Sequence, residues 1–395
     1  MSASAEVAGA PAWTDRRRRW WLLSAVLPML PLASIALWMA THQAWTLWIT
    51  LACVYGLFPL LDQLLGDDEN NPPEALVPDI ERDAWYRWLV YLALPGMYAT
   101  FAAGAWLAAT ADLSLAGYLG LALSVGWTSA AGINAAHELG HKKSGLEILL
   151  AHLALAPSGY GHFRVEHTFG HHRDVATPGD PASARLGESY YRFMTREIPG
   201  AFRRAWRLEA DRLARQGRGP WHPANENLRA WAMTLVLWGA LVAWLGWVVL
   251  PMLLVQAAFA YSLLSAANYV EHYGLLRDKA PDGRYERVRP EHSWNSNRVV
   301  SNLMLYQLER HSDHHAWPAR RYQSLRHFPG APQLPTGYFG MFLVALVPPL
   351  WRRVMDERVL AHAGGDLSRV NMADGEAARL RRRFPGRFRG TVEAA

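Results

Sequence analysis

The residues best suited to chemistry in this sequence are histidines. There are 16 of them against a single cysteine. Nine fall into four tight clusters: His137 and His141 in NAAHELGHKK, His167, His171 and His172 in EHTFGHHRD, His272 in NYVEHYG, and His311, His314 and His315 in LERHSDHHAWP. Residues i and i+3, or i and i+4, share one face of a helix and can grip one ion. His137/His141 and His167/His171 have the four-residue spacing, and the last cluster has both spacings. His172 and His315 each follow another histidine directly, so on a helix their rings point about 100° away and suit a second metal. Nine imidazoles exceed what one ion accepts, so the natural count is two ions with four or five nitrogens each.

Each cluster also carries acids: Glu138, Glu166, Glu271, Glu309 and Asp313. A ligating imidazole usually donates its other N–H to a carboxylate, which fixes tautomer and ring orientation. That is the role expected of these five, with direct ligation by one of them as the alternative. Imidazole suits zinc, copper, iron and nickel, so spacing alone does not choose the metal. One cysteine excludes an intrachain disulfide, a four-cysteine site and an iron–sulfur cluster. His137 to His141 also match HExxH, the zinc-protease motif, but that reading leaves most of the clustered histidines without a task. The other histidines read as ordinary: His42, His222, His292, His327 and His362 as interfacial or hydrogen-bonded residues, and His152 as packed. His162 is the candidate for a supporting contact.

The elements that must position these clusters are apolar. Mean hydropathy is −0.06, which hides an uneven distribution. Six stretches approach or exceed the roughly 20 apolar residues that span a bilayer: about 20–40, 44–65, 86–110, 114–136, 229–249 and 250–270. They form three pairs joined by short connectors at Thr41–Gln43, Ala111–Leu113 and Val249–Pro251. Arg16 to Arg19 precede the first span, and the tight connectors lack Lys and Arg. The positive-inside rule then places both termini, and all four histidine clusters, on the cytoplasmic face. A metal transporter would need ionisable residues along the spans, and these show almost none.

The expected fold is an all-α integral membrane protein with six transmembrane helices and a cytoplasmic helical cap carrying a dinuclear histidine site. Residues 1–19 form a basic N-terminus, 20–136 spans one to four, 137–228 a metal-binding segment, 229–270 spans five and six, 271–350 a second metal-binding segment, and 351–395 a basic tail. Between them lie an acidic loop (67–83), a short buried or re-entrant helix (145–156), an amphipathic helix suited to an anionic bilayer (200–216) and a second interfacial helix (337–353). The tail near Arg381–Arg389 is expected to hug lipid or to be disordered. Net charge is +6, and the basic residues flank apolar segments, which fits membrane better than nucleic acid. The lone Cys53 reads as a packing residue inside span two.

Taken together, HELGHKK, EHTFGHHRDVATPGDPASARLGE, NYVEHYGLLR and LERHSDHHAWPARRYQSLRH resemble the motif set of the integral-membrane alkane 1-monooxygenases, within the histidine-rich superfamily that includes fatty acid desaturases. The resemblance covers roughly residues 20–350. It implies two non-haem iron ions held by all nine clustered histidines, without haem, flavin or iron–sulfur cluster. It implies hydroxylation of the terminal methyl of a medium-chain n-alkane with O2, at the inner membrane. It also implies electrons from rubredoxin and its NAD(P)H-dependent reductase. A fatty acyl desaturase or an aryl-methyl hydroxylase is the nearest alternative.

Terminal selectivity requires a narrow apolar channel, because methylene C–H bonds are weaker than methyl ones. Leu51, Tyr55 and Phe58 share a face by helical spacing and are the expected wall, opposite Leu263 and Leu264. Lys142, Lys143, Arg203, Arg204 and Arg207 are the candidate cationic patch for an acidic electron donor, with lipid headgroups as the competing partner of the three arginines.

Overall fold

The structure, a computed structural model, describes residues 13–385. Its regular elements are helical, and the described residues contain isolated β-bridges but no strand. Five helices are long and apolar enough to cross a membrane: α1 (Leu22–Thr41), α2 (Ala44–Leu65), α3 (Ala84–Thr110), α8 (Glu226–Leu245) and α9 (Trp247–His272). The others that matter here are α4 (Leu115–Gly140), α5 (Gly145–Leu155), α6 (163–174), α7 (Tyr190–Ala214), α10 (Val299–Met304), α11 (His311–Ala316), α12 (Tyr338–Ala345), α13 (Pro348–His362) and α14 (Glu376–Arg383).

Helix α4, expected as a span, has the length at 26 residues but not the apolarity of the other five. It is rich in Gly, Ser and Thr, and most of it is buried against neighbouring helices. A helix surrounded by protein needs small residues for close approach more than it needs a greasy surface. A Cβ on Gly126 would lie 2.7 Å from the Gln256 carbonyl oxygen, and one on Gly132 would lie 2.8 Å from the Ala154 carbonyl oxygen. These glycines bring α4 against α9 and α5. Helix ends follow the local chemistry. Asp83, Ser114, Ser189 and Asn225 cap α3, α4, α7 and α8, each accepting a backbone N–H of the first turn. Gly246, at φ 82°, makes the turn between α8 and α9, where an L side chain would be strained.

Each long pair is joined by only a few residues, so the long segments between pairs share one end of the bundle. Arg17 and Arg18 reach from the N-terminal run to the acidic loop at that end, 3.1 Å from Asp68 and 3.0 Å from Asp83. Exposed tryptophans mark both ends: Trp45, Trp244 and Trp247 by the short connectors, Trp20 and Trp88 at the other. Such pairs of aromatic belts mark membrane–water boundaries.

Three expectations change. Residues 337–353 are not one interfacial helix. Pro348 and Pro349 cannot continue α12, so a new helix, α13, starts there. Tyr338, Phe339, Met341 and Trp351 are core residues. Helix α2 is not uniformly α-helical, because Cys53–Leu57 forms a π-helical turn. Near Arg381 the basic tail is helical over Glu376–Arg383, and Arg379 and Arg383 of α14 bind the buried carboxylate of Asp356. Residues 386–389 of that stretch, and residues 1–12 of the basic N-terminus, lie outside the described residues.

Candidate metal centre

The clustered histidines converge into two groups. The ligand nitrogens of His137, His141, His167, His172 and His314 all lie within 4.8 Å of one another, and those of His171, His272, His311 and His315 do the same. The groups abut: the rings of His172 and His315 are 4.3 Å apart and those of His171 and His172 6.0 Å. Two groups of five and four nitrogens result, from the ends of α4 and α9 and from α6 and α11.

The membership departs from simple helical spacing at one cluster. His167 and His171, four residues apart, fall in different groups, while His167 and His172 share one. The cause is local: His167–His171 is a π-helical turn inside α6. Its i→i+5 hydrogen bonds bring residues five apart onto one face, and the Nε2 atoms of His167 and His172 are 3.1 Å apart. In α11 the α-helical rule holds. His311 and His315 share a group, with Nε2 atoms 2.9 Å apart, and His314 is turned to the other.

Electrostatics favour neutral imidazoles. Burial pushes His141, His167, His172, His311, His314 and His315 well below the ordinary histidine value, and the neighbouring imidazoles push further. Neutral imidazole is the ligating form. Several ring nitrogens here are buried without any hydrogen-bond partner, among them Nε2 of His137, His141, His171 and His272. Buried orphan lone pairs are costly in a finished protein. Cations at the two foci would pair them.

The carboxylates around the groups are arranged differently from the sequence expectation. Glu271 does approach an imidazole, with Oε2 3.2 Å from His311 Nε2, but that is the nitrogen that meets His315 Nε2 at 2.9 Å, so this carboxylate lies on the metal-facing side of the ring and not behind it. Glu138 pairs with Lys142 at 3.1 Å, Glu166 with Arg204, and Asp313 with Arg326 at 3.1 Å. Glu309 accepts the Tyr338 backbone N–H at 2.5 Å. These four brace the surrounding loops instead of orienting a ring. The carboxylate that orients His171 is Asp180, 2.9 Å from its Nδ1. Asp180 also accepts from Ser183 Oγ at 2.6 Å and from Arg204 at 2.7 Å. Burial alone would raise its pKa, but His171 and Arg204 hold it far below the usual carboxylate range. Asp180 lies in the VATPGDPAS segment, and its only sequence signal is that it follows the second histidine cluster closely. The carbonyl of His292 lies 3.3 Å from Nδ1 of His272, a backbone partner that no side-chain pattern announces.

Two of the proposed surface cations are buried. Arg204 bridges Glu166 and Asp180, and Lys142 donates to the Arg320 carbonyl at 2.9 Å besides pairing with Glu138. Lys143, Arg203 and Arg207 are exposed. His152 is packed, with its Nε2 3.1 Å from Glu226. His162 is buried against Tyr160 and Phe202 and, among the described residues, neither of its ring nitrogens has a partner. Burial lowers its pKa to about 3.

An apolar cavity ends on the two groups. Its floor is His137, His167, His311 and Glu271, and its wall includes Tyr55, Trp127, Leu263, Leu264, Phe339 and Phe342. Of the five expected wall residues, Tyr55, Leu263 and Leu264 face the cavity. Leu51 and Phe58 do not: Phe58 packs on Phe339 at 5.6 Å, and Leu51 packs against the same core. The π-turn at Cys53–Leu57 separates them from Tyr55, because the i, i+4, i+7 rule assumes an unbroken α-helix.

A model of the fatty acid desaturase family matches residues 113–345. The chain is 49% identical to an alkane 1-monooxygenase of Pseudomonas putida, over 95% of this chain and 93% of that one. It is 50% identical to alkane 1-monooxygenase 1 of Alcanivorax borkumensis, over 92% of this chain and 90% of that one. The chain belongs to the alkane 1-monooxygenase family. Similarity extends more weakly to the xylene/toluene monooxygenase hydroxylase component of Pseudomonas putida, 30% identical over 59% of this chain and 62% of that one. As an alkane 1-monooxygenase family member, the chain is a membrane protein with a histidine metal-binding cluster at one end of its apolar helices.

Proposed function

We propose that this chain hydroxylates the terminal methyl of medium-chain n-alkanes, using O2 and two electrons delivered by rubredoxin from its NAD(P)H-dependent reductase. The observation that carries the reading is the apolar cavity whose floor is made of imidazoles from both groups. The reaction balances as alkane, O2, two electrons and two protons giving 1-alkanol and water.

The donor set fits two non-haem iron ions: neutral imidazoles, five and four, with buried unpartnered nitrogens facing each focus. His137, His141, His167, His172 and His314 would hold one, and His171, His272, His311 and His315 the other. Bound iron supplies the reduction of O2 and the oxidation of the C–H bond. The protein supplies position. Asp180 fixes the His171 ring from behind, and Glu271, 3.2 Å from His311 Nε2, stands on the metal-facing side of the second group as a candidate oxygen ligand. The hydrocarbon wall excludes water and admits an alkyl chain end-on, so that shape sets which carbon reaches the floor. Loading from the lipid phase suits a substrate that dissolves there.

The N-terminal arginines favour a cytoplasmic location for the metal end, at the inner membrane, where an electron donor is available. Lys143, Arg203 and Arg207 remain exposed there as a docking patch.

Membranes containing the chain, supplied with rubredoxin, its reductase, NADH and octane in air and analysed by gas chromatography, test the reading. The expected product is 1-octanol. Octene would indicate desaturation, and 2-octanol would show that the cavity does not select the chain end.

A further inference from the structure

Two carboxamides interrupt the apolar wall of the cavity, Asn134 on α4 and Asn268 on α9. Each stands one helical turn before a clustered histidine, Asn134 before His137 and Asn268 before His272, so the two sit beside different metal groups. At 1.5 Å per residue they lie about 4.5–6 Å along the helices from those histidines.

Both amides are anchored by their NH2 ends. Asn134 Nδ2 donates to the Leu305 carbonyl at 2.9 Å, and Asn268 Nδ2 donates to Glu197 Oε1 at 3.2 Å. Glu197 is 1% exposed and takes Ser265 Oγ on its other oxygen at 2.5 Å. Among the described residues it has no ion-pair partner, and its Oε1 is the atom that accepts from the asparagine. Each NH2 has one of its two N–H groups held this way, and among the described residues no hydrogen bond reaches either carbonyl oxygen, which is an acceptor only. An acceptor gains nothing from a methyl group. It pairs with an O–H donor.

We propose that Asn134 and Asn268 form a hydroxyl-binding collar one turn from the imidazole floor, and that its ligand is the terminal O–H of a primary n-alkanol. The proposal rests on the alkane-hydroxylation reading for the origin of that alcohol. A newly formed alcohol moving back along the cavity meets two acceptors that its parent alkane passes without a bond. The collar therefore makes the medium-chain alcohol a better occupant of the cavity than an uncharged chain of equal length lacking the donor.

Binding without turnover tests this. The full chain in nanodiscs, without reductant, is titrated with radiolabelled 1-octanol and with octyl methyl ether as competitor, each corrected for partition into protein-free nanodiscs. The alcohol should bind about tenfold more tightly than the ether, the factor expected of one or two net hydrogen bonds. Asn134→Leu with Asn268→Leu should bring the two affinities together. Should the double variant fail to assemble, each single variant should lower the ratio about threefold. A purely structural role moves both ligands together and leaves the ratio intact. Equal affinities in the unaltered chain, or an unchanged ratio in the variants, overturn the collar. Octane turnover is measured separately: its absence with an intact ratio counts against the proposed activity and not against the collar.

Discussion

Asp180 is the residue whose neighbours most constrain a metal group. It holds the His171 ring from behind and is itself held by Ser183 and Arg204. Asp180→Asn keeps the shape but removes the charge and one acceptor. Loss of such a supporting contact costs metal affinity about 10- to 100-fold. Titration of the purified chain with iron, followed by mass spectrometry of bound metal, should show one of two sites weakened. Uniform binding at both sites would mean that Asp180 does not orient His171. Tyr55 is the cavity residue most exposed to test by size. Tyr55→Ala should lengthen the accepted alkanes and Tyr55→Trp shorten them, read from competing n-alkanes of graded length. An unchanged range would remove Tyr55 from the cavity end. The nine histidines were legible because clustering at short spacing is rare without a ligand to share. The orienting carboxylate was not, because ion pairs and ring contacts draw on the same acids and only proximity separates them.

At the scale of elements, two π-turns decide what spacing alone misreads. One, His167–His171, hands His171 to the second group while keeping His167 with His172. The other, Cys53–Leu57, puts Tyr55 into the cavity and leaves Leu51 and Phe58 outside it. Both segments look like ordinary helix in the sequence, since no residue type marks a single wide turn. Helix α4 is the converse case. Its position was readable, but its small residues lower its apolarity because protein, not lipid, surrounds it. The close approach of α4 to α9 carries His137 and His141 toward His272, and it depends on Gly126. A methyl there would lie 2.7 Å from the Gln256 carbonyl oxygen and 3.1 Å from its Cα. Backbone cannot step aside as a side chain can. Gly126→Ala should therefore destabilise the bundle by about 1–3 kcal/mol and lower bound iron as well, although it sits about 16 Å along the helix from His137. Thermal unfolding in detergent with metal analysis reads both; no change in either would show that the helices have slack.

For the whole molecule, the sequence placed the chemistry at one end of a helical bundle, and the packing shows how polar that end is inside. Buried carboxylates there are mostly paired, but Glu197 has only Ser265 and Asn268. Burial pushes its carboxyl up to about 7, against about 4.5 unfolded. Between those values the folded chain binds more protons than the unfolded one, so stability falls as pH rises from about 4.5 and the full cost, of order 3 kcal/mol, is present above 7. Glu197→Gln should flatten that fall. Unfolding temperatures from pH 5 to pH 8 compare the slopes, and parallel slopes would place the titration elsewhere. The acidic loop and the arginine run were each readable as surface features. That they neutralise one another, Arg17 on Asp68 and Arg18 on Asp83, was not, because the two are joined only by the fold.

The most direct measurement of the proposed activity is isotopic. Purified chain loaded with iron, rubredoxin, its reductase and NADH are supplied with octane under 18O2, and the product is analysed by gas chromatography with mass spectrometry. The expected result is 1-octanol carrying one 18O atom. Octanol without the label, or no octanol from an iron-loaded chain with a working donor, would contradict it.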